Sequence, residues 1–230
     1  GYASALNTRL ENGYLILAGE AEWVNSTGKL DGPFTAHPKI DPVTGDWYTF
    51  STQFSSGRLY HSVVRQGKLV QHSVIDQQKP ALAFLHDYYL TEHYLVFPDL
   101  SLRFNPKDMF GPEKSPMVFD ADYKMRWGVI KRDHQPGDPV RWFTTEQPGH
   151  LWHVVNGWEE TRDDGGTDIV LFAPVFRSYP SNLPIHNPQE PHAKFNKWRL
   201  NLDSGQVTED RVLLDHFYER PSFNTDYIGQ

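Results

Sequence analysis

The sequence has no cysteine among its 230 residues. Disulfide bonds and thiolate metal ligands are therefore excluded, and the chain suits a reducing compartment such as the cytoplasm or a plastid, without selecting one. No basic run occurs and the net charge is −7, so nucleic acid is not expected as a partner, because phosphate binding needs clustered Lys and Arg. No apolar run reaches the roughly 18 to 20 residues of a membrane-spanning helix. Peripheral contact with a membrane surface stays open.

Short segments rich in aromatic and β-branched residues dominate the sequence, and turn residues separate them. This pattern predicts an all-β fold, as a meander, sandwich, barrel or propeller. The only helix candidate, residues 78–87, lacks the apolar spacing of an amphipathic helix. The aromatic content fits a packed core or, less often, the wall of an apolar tunnel. The predicted strands are 46–54, 58–64, 68–75, 93–100, 126–132, 150–155, 168–176, 194–202 and 211–215.

Three of the eleven histidines stand in unusual contexts. They are His37 in FTAHPKIDPVTG, His86 in FLHDYYLTEHYLVFPD and His153 in HLWHVVNGWEE. One propeller blade takes roughly 40 to 50 residues, so histidines spaced in this way can reach a common axis from nearby blades. Other histidines have ordinary interpretations; His61 and His72 alternate with polar residues and are expected to face solvent.

Without cysteine, a borderline metal such as iron or zinc would be held by neutral imidazole nitrogens, with carboxylates as partners. The second ring nitrogen of such a ligand usually bonds to a carboxylate or a carbonyl. Glu20, Glu22 and Glu219 are available for this purpose, although acids of this kind are most often ordinary surface residues. Spacing by itself does not establish a metal site.

The three windows together resemble the carotenoid cleavage oxygenases, the family of the nine-cis-epoxycarotenoid dioxygenases, lignostilbene dioxygenases and the retinoid isomerase of the eye. FTAHPKIDPVTG is similar to the family's first-histidine motif, and LHDYYLTEHYLVFPDL and LWHVVNGWEE are similar to its next two. RWGVIKR, YERPSFNTDYIG and the opening NTRLENGYLILAGE also resemble family segments. The six stretches follow the family's order and cover nearly the whole chain.

The resemblance implies that residues 1–230 are a single, incomplete domain that forms part of a seven-bladed β-propeller. It implies an axial Fe(II) held by four histidines, of which His37, His86 and His153 match three. Glutamates orient these rings in the family, so Glu219 would serve His153 and Glu20 would serve His86. The implied reaction is oxidative cleavage by O2 of a carbon–carbon double bond in a carotenoid or apocarotenoid.

The sequence departs from the family pattern in two places. The chain stops at Gln230, before the family's fourth histidine, so an internal segment of a longer protein or a natural truncation is expected. The stretch from Glu20 to His37 is also shorter than in the family, and Glu22 is the alternative if Glu20 does not reach His86. Two other functions remain open: a truncated, catalytically inactive member that binds an apolar ligand or a protein, and a stilbene-cleaving dioxygenase. Gly19 disfavours the latter, because stilbene cleavers tend to carry lysine there.

Overall fold

The computed structural model describes residues 8–11, 14–17, 35–53, 56–66, 68–77, 82–105, 110, 116–178, 192–216 and 219–230. The predicted all-β class is confirmed: these residues form strands β1 to β17, and none of them lies in an α-helix. A short 3-10 helix spans Thr225–Tyr227. No helix within the described ranges has the length and apolar character needed to cross a membrane.

The first of two compact units comprises residues 1–79 and 135–138. A two-stranded antiparallel hairpin joins β1 (Thr8–Glu11) and β2 (Tyr14–Leu17). A four-stranded antiparallel sheet has the order β3-β4-β5-β6. Its strands are β3 (Lys39–Ile40), β4 (Trp47–Gln53), β5 (Arg58–Arg65) and β6 (Lys68–Gln77).

Residues 41–46 form the turn between β3 and β4. The Asp41 carboxylate accepts hydrogen bonds from the amides of Val43 at 2.8 Å and Thr44 at 3.0 Å. Gly45 completes the turn with φ of +71°, a conformation that costs glycine little. Local side-chain chemistry therefore reverses the chain just after the segment that carries His37.

The second unit comprises residues 80–134 and 139–230. It contains a three-stranded sheet of order β11-β10-β7 and two four-stranded sheets of order β13-β12-β9-β8 and β14-β15-β16-β17. All strand pairs are antiparallel, as in the blade of a propeller. The strands are β7 (Leu82–Ala83), β8 (Tyr89–Leu90), β9 (Tyr94–Asp99), β10 (Leu102–Phe104), β11 (Met117–Phe119), β12 (Arg126–Lys131), β13 (Arg141–Thr144), β14 (Gly157–Thr161), β15 (Thr167–Val175), β16 (Lys194–Asn201) and β17 (Gln206–Leu214).

One apolar core fills the second unit. Its largest members are Trp127 and Trp198, which are fully buried with ring centroids 5.1 Å apart in an edge-to-face arrangement. Tyr89 adds a third ring at 5.7 Å from Trp127. Such pairs add about 0.5 to 1.5 kcal/mol each beyond the burial of their area. The core therefore supports β8 and β15, next to the segments 84–88 and 151–156 that lead into β8 and β14.

Two buried carboxylates link strands of the second unit. Asp168 on β15 accepts from Arg162 at 2.6 Å and from Arg199 at 3.1 Å. Asp99, at the end of β9, is held by two arginines and a tyrosine. Buried charges require such partners, because an unpaired carboxylate in a core is costly.

Two expectations from the sequence are wrong. Residues 150–155 form no strand; only His150 pairs, in an isolated bridge with Phe176. His61 does not face solvent but is buried, because residues Leu59 to Val64 of β5 are buried on both faces of the strand. The helix candidate is not helical where it is described, from residue 82 onward.

Candidate metal centre

His86 and His153 come together in the second unit although 67 positions separate them in the sequence. Their ring centroids are 5.0 Å apart and the rings are nearly perpendicular, at 85°. Each ring has a nitrogen within 4.8 Å of a nitrogen of the other, a separation that one shared ion can span. Both residues lie in irregular segments, residues 84–88 and 151–156, which connect strands.

Glu219 holds the far side of the His153 ring. Its Oε2 lies 3.1 Å from His153 Nδ1. A carboxylate only accepts hydrogen bonds, so in the neutral ring Nδ1 carries the proton and Nε2 keeps its lone pair. The same Oε2 accepts the Arg220 amide at 2.6 Å, and Arg220 has the left-handed φ of 52° that this turn requires. The arrangement prepares Nε2 as a metal ligand.

The chain that follows Glu219 is fastened to the NGWEE motif through Asn156. The Asn156 side chain donates to the Tyr227 carbonyl at 2.9 Å and accepts from the Gly229 amide at 3.1 Å. Gly229 has φ of +76°, and a Cβ there would lie 3.0 Å from the Thr91 backbone. Only glycine fits this approach, so the YIG sequence secures the segment that carries Glu219.

Aromatic rings lie on one side of His86. Trp152 meets Phe84, His86 and His150 edge to face, with centroid distances of 5.3, 5.6 and 4.7 Å. Phe84 and Trp152 are partly buried. This apolar wall limits the rotation of the His86 ring and lowers the local dielectric around it.

His150 lies behind this wall with none of its surface exposed. Burial, together with a smaller contribution from the nearby His86, lowers the pKa of His150 to about 3. The ring is therefore neutral at physiological pH and adds no positive charge beside the candidate ligands.

We expect His150 to make the metal-free protein acid-sensitive. The pKa of His150 is about 3 when folded and near 6.5 in an unfolded chain, so the unfolded state binds more protons between these values. Stability is therefore present above pH 6.5 and falls as the pH drops, by about 2 kcal/mol between pH 7 and pH 5. Urea unfolding at pH 7 and pH 5 measures this change in the free energy of unfolding. In His150→Phe the change should be smaller by about 2 kcal/mol. An unchanged pH dependence in the variant would contradict this assignment.

The other predicted site residues are placed as follows. His37 is partly buried in the first unit, two residues before β3, and its amide donates to Thr35 Oγ1 at 3.1 Å. Glu20 and Glu22, the alternatives for orienting His86, lie outside the described residues. The structure thus places Glu219 against the His153 ring, with His86 beside it.

Sequence reasoning overlooked three residues that contact this site: Trp152, Asn156 and Asp87, whose carboxylate accepts the Val154 amide at 3.0 Å. Asp87 directly follows a candidate ligand, and an acid in that position was a usable indication. Trp152 and Asn156 flank His153 within a motif that was identified, but their contacts come from segments distant in sequence. No local pattern predicts such contacts.

The chain matches known proteins along most of its length. The family described as retinal pigment epithelial membrane protein matches residues 10–230. The 9-cis-epoxycarotenoid dioxygenase NCED1, chloroplastic, of Oryza sativa subsp. japonica is 34% identical over 208 residues, covering 88% of this chain and 31% of the relative. The carotenoid 9,10(9',10')-cleavage dioxygenase 1 of Pisum sativum is 36% identical over 210 residues, covering 88% and 37%.

Solved structures agree with this match. The lignostilbene dioxygenase of Pseudomonas brassicacearum has a TM-score of 0.70 and 29% identity, covering 86% of this chain and 42% of its own. The cobalt-substituted apocarotenoid oxygenase of Synechocystis has a TM-score of 0.74 over 97% of this chain and 47% of its own; at 22% identity it shows the fold alone. The chain spans less than half the length of each of these relatives. From its sequence and its fold, the chain belongs to the carotenoid cleavage oxygenases, the family of the retinal pigment epithelial membrane protein.

Proposed function

We propose that this chain is part of a non-haem Fe(II) dioxygenase that cleaves a carbon–carbon double bond of a carotenoid or apocarotenoid. The observation that carries the proposal is the perpendicular pair of His86 and His153, with Glu219 bonded to Nδ1 of His153. A pair of imidazoles with one ring oriented by a carboxylate is typical of a histidine-rich metal centre. The seven-bladed propeller and the single domain over residues 1–230 remain predictions alongside it.

The proposed ligands are His37, His86 and His153. All three are supported by their motifs, and His86 and His153 also by ring nitrogens close enough to share an ion. Neutral imidazole suits iron, and the sequence has no thiolate to compete. Glu219 is proposed to orient His153 and Glu20 to orient His86, with Glu22 as the alternative to Glu20.

Bound iron would supply the redox chemistry with dioxygen, which protein side chains cannot provide. The residues of this chain do the rest. Glu219 holds the proton on Nδ1 of His153, so that the lone pair of Nε2 would be available to bound iron. Phe84 and Trp152 form an apolar wall beside His86, which suits a polyene and keeps water away. His150 stays neutral and adds no repulsion to a cationic centre.

The proposed partners are O2 and a carotenoid or apocarotenoid, in line with the names of the rice and pea relatives. A hydroxystilbene is the second candidate substrate, because the Pseudomonas relative is a lignostilbene dioxygenase. Of the two reducing compartments that the sequence leaves open, the plastid is favoured by the rice relative's name, which includes "chloroplastic". Peripheral membrane contact stays a prediction.

Metal analysis combined with product analysis tests the proposal. We expect the purified full-length protein of which this chain is part to contain near-stoichiometric iron and to convert a carotenoid or an apocarotenal to two carbonyl products only in the presence of O2. Incubation with a hydroxystilbene in parallel separates the two substrate classes. Iron-free protein that binds the polyene without cleaving it would overturn the enzymatic proposal and favour an inactive apolar-ligand binding module.

A further inference from the structure

The two segments that carry His86 and His153 have few ladder hydrogen bonds of their own. Residues 84–88 lie in no strand, although the Phe84 amide still donates to Leu102 O at 2.9 Å. In the second segment the pairing with β15 begins only at Val155, whose amide donates to Phe172 O at 2.9 Å. The relative position of the two segments must therefore be set by other contacts, because irregular segments move unless their backbone groups are bonded.

One carboxylate bonds to both segments. Asp87, which follows His86, is 3% exposed. Its Oδ1 accepts the amide of Tyr88 at 2.8 Å, and its Oδ2 accepts the amide of Val154 at 3.0 Å. Val154 is the residue after His153, so a single side chain joins the immediate neighbours of two candidate ligands.

We propose that Asp87 is a positioning residue that fixes the separation of the His86 and His153 rings and thereby sets the affinity for the metal. The inference rests on the proposed metal centre and adds to it a residue that does not touch the metal. Charge-assisted bonds from two amides to one buried carboxylate are short and directional, so they hold the two backbones in one register.

An amide side chain at this position cannot replace the carboxylate. The substitution Asp87→Asn would keep one acceptor oxygen but would turn an NH2 group toward the second backbone N–H, where two donors face each other. One of the two backbone amides would lose its bond, and the repulsion between the facing donors would displace the side chain and weaken its hold on Val154. The ring distance of 5.0 Å would then no longer be enforced, and each ligand would have to be ordered when the metal binds.

The test is a Co(II) titration of metal-free protein, followed by visible absorption, which reports both affinity and ligand geometry. We expect Asp87→Asn to weaken Co(II) binding about 10- to 100-fold, as loss of an orienting partner does at other metal sites, with an altered absorption band. Hydrogen exchange at Val154 should also accelerate. If Asp87→Asn does not fold, Asp87→Glu provides the same test, because its longer side chain keeps the charge but displaces the Val154 amide.

Asp168→Asn is the matched control. Asp168 is also 3% exposed, but its partners are Arg162 and Arg199 rather than the ligand segments. The Asp168→Asn variant should be less stable than the unmodified protein, but its Co(II) affinity should stay within about twofold of the unmodified value. The reason is that Asp168 does not contact the segments that carry the candidate ligands. Wild-type affinity in the Asp87 variant would overturn the positioning role. Absence of Co(II) binding by the unmodified protein would instead overturn the proposed metal centre.

Discussion

Replacing His153 with alanine is expected to abolish both metal binding and polyene cleavage. His153 supplies one of three proposed nitrogen ligands, and its ring is already fixed by Glu219 at 3.1 Å. Removing it takes away a ligand and leaves a gap beside His86, so affinity should fall below what iron analysis after gel filtration detects. The fold should persist, because His153 is partly exposed and lies outside the strands. Circular dichroism and metal content measured on the same sample separate the two effects.

His192→Ala is the control for this experiment. His192 also pairs with a carboxylate, Asp215, at 3.6 Å, and its side chain is 35% exposed, compared with 21% for His153. Its loss removes a histidine–carboxylate contact of the same kind without touching the candidate centre. Full metal content and turnover are expected in this variant. Full turnover in His153→Ala would remove that residue from the ligand set.

The second large effect is expected at Asp99, in stability rather than in metal binding. Asp99 has no exposed surface and accepts from Arg103 at 2.6 Å, Tyr123 at 2.5 Å and Arg126 at 2.8 Å. Asp99→Ala would remove one shared acceptor from two guanidinium groups and a phenol at the junction of β9, β10 and β12. Breaking a buried pair from one side costs about 3 to 5 kcal/mol, and partial exposure of the arginines places the expected loss near 3 kcal/mol.

Urea unfolding monitored by tryptophan fluorescence measures this change in the free energy of unfolding. Asp120→Ala serves as the comparison, because Asp120 is exposed and its carboxylate bonds to the backbone amide of Asp122, at 3.1 Å; a change within about 0.5 kcal/mol is expected there. Equal losses in the free energy of unfolding for Asp99→Ala and Asp120→Ala would show that the buried cluster around Asp99 adds no more stability than an exposed carboxylate. The Arg126 guanidinium lies over Trp142, at 3.9 Å from the ring centroid, which makes Arg126→Lys a milder variant of the same test.

The strands were predictable because their cause is local. The prediction of 168–176 matches β15 at Thr167–Val175, since β-branched residues between polar turns carry the information within the segment itself. The prediction failed for residues 150–155, where the apolar alternation is equally good. There the Val154 amide bonds to the Asp87 carboxylate, so a distant side chain competes with strand pairing.

The burial of His61, which was expected to face solvent, has a different physical reason. Alternation predicts one solvent-facing side for β5, but β5 lies between β4 and β6 and is covered on both faces. Period-2 patterns identify a half-buried strand and lose their meaning in a fully buried one.

The sequence motifs identified the candidate ligands through family resemblance, whereas Asp87 bonds to a backbone amide that any residue but proline would supply. The sequence therefore does not indicate that Val154 is the partner of Asp87.

The docking of residues 227–229 on Asn156 bears on the order of events after synthesis. His153 and Glu219 are 66 positions apart and meet only when the late segment closes onto the earlier one. Contacts of such high sequence separation form slowly, since chain closure must precede them. A nascent polypeptide therefore lacks the pair of His153 and Glu219, and this pair forms only after the later segment has been synthesised. With the proposed metal centre completed this late, cells starved of metal should accumulate folded protein that can still be loaded, rather than misfolded chains.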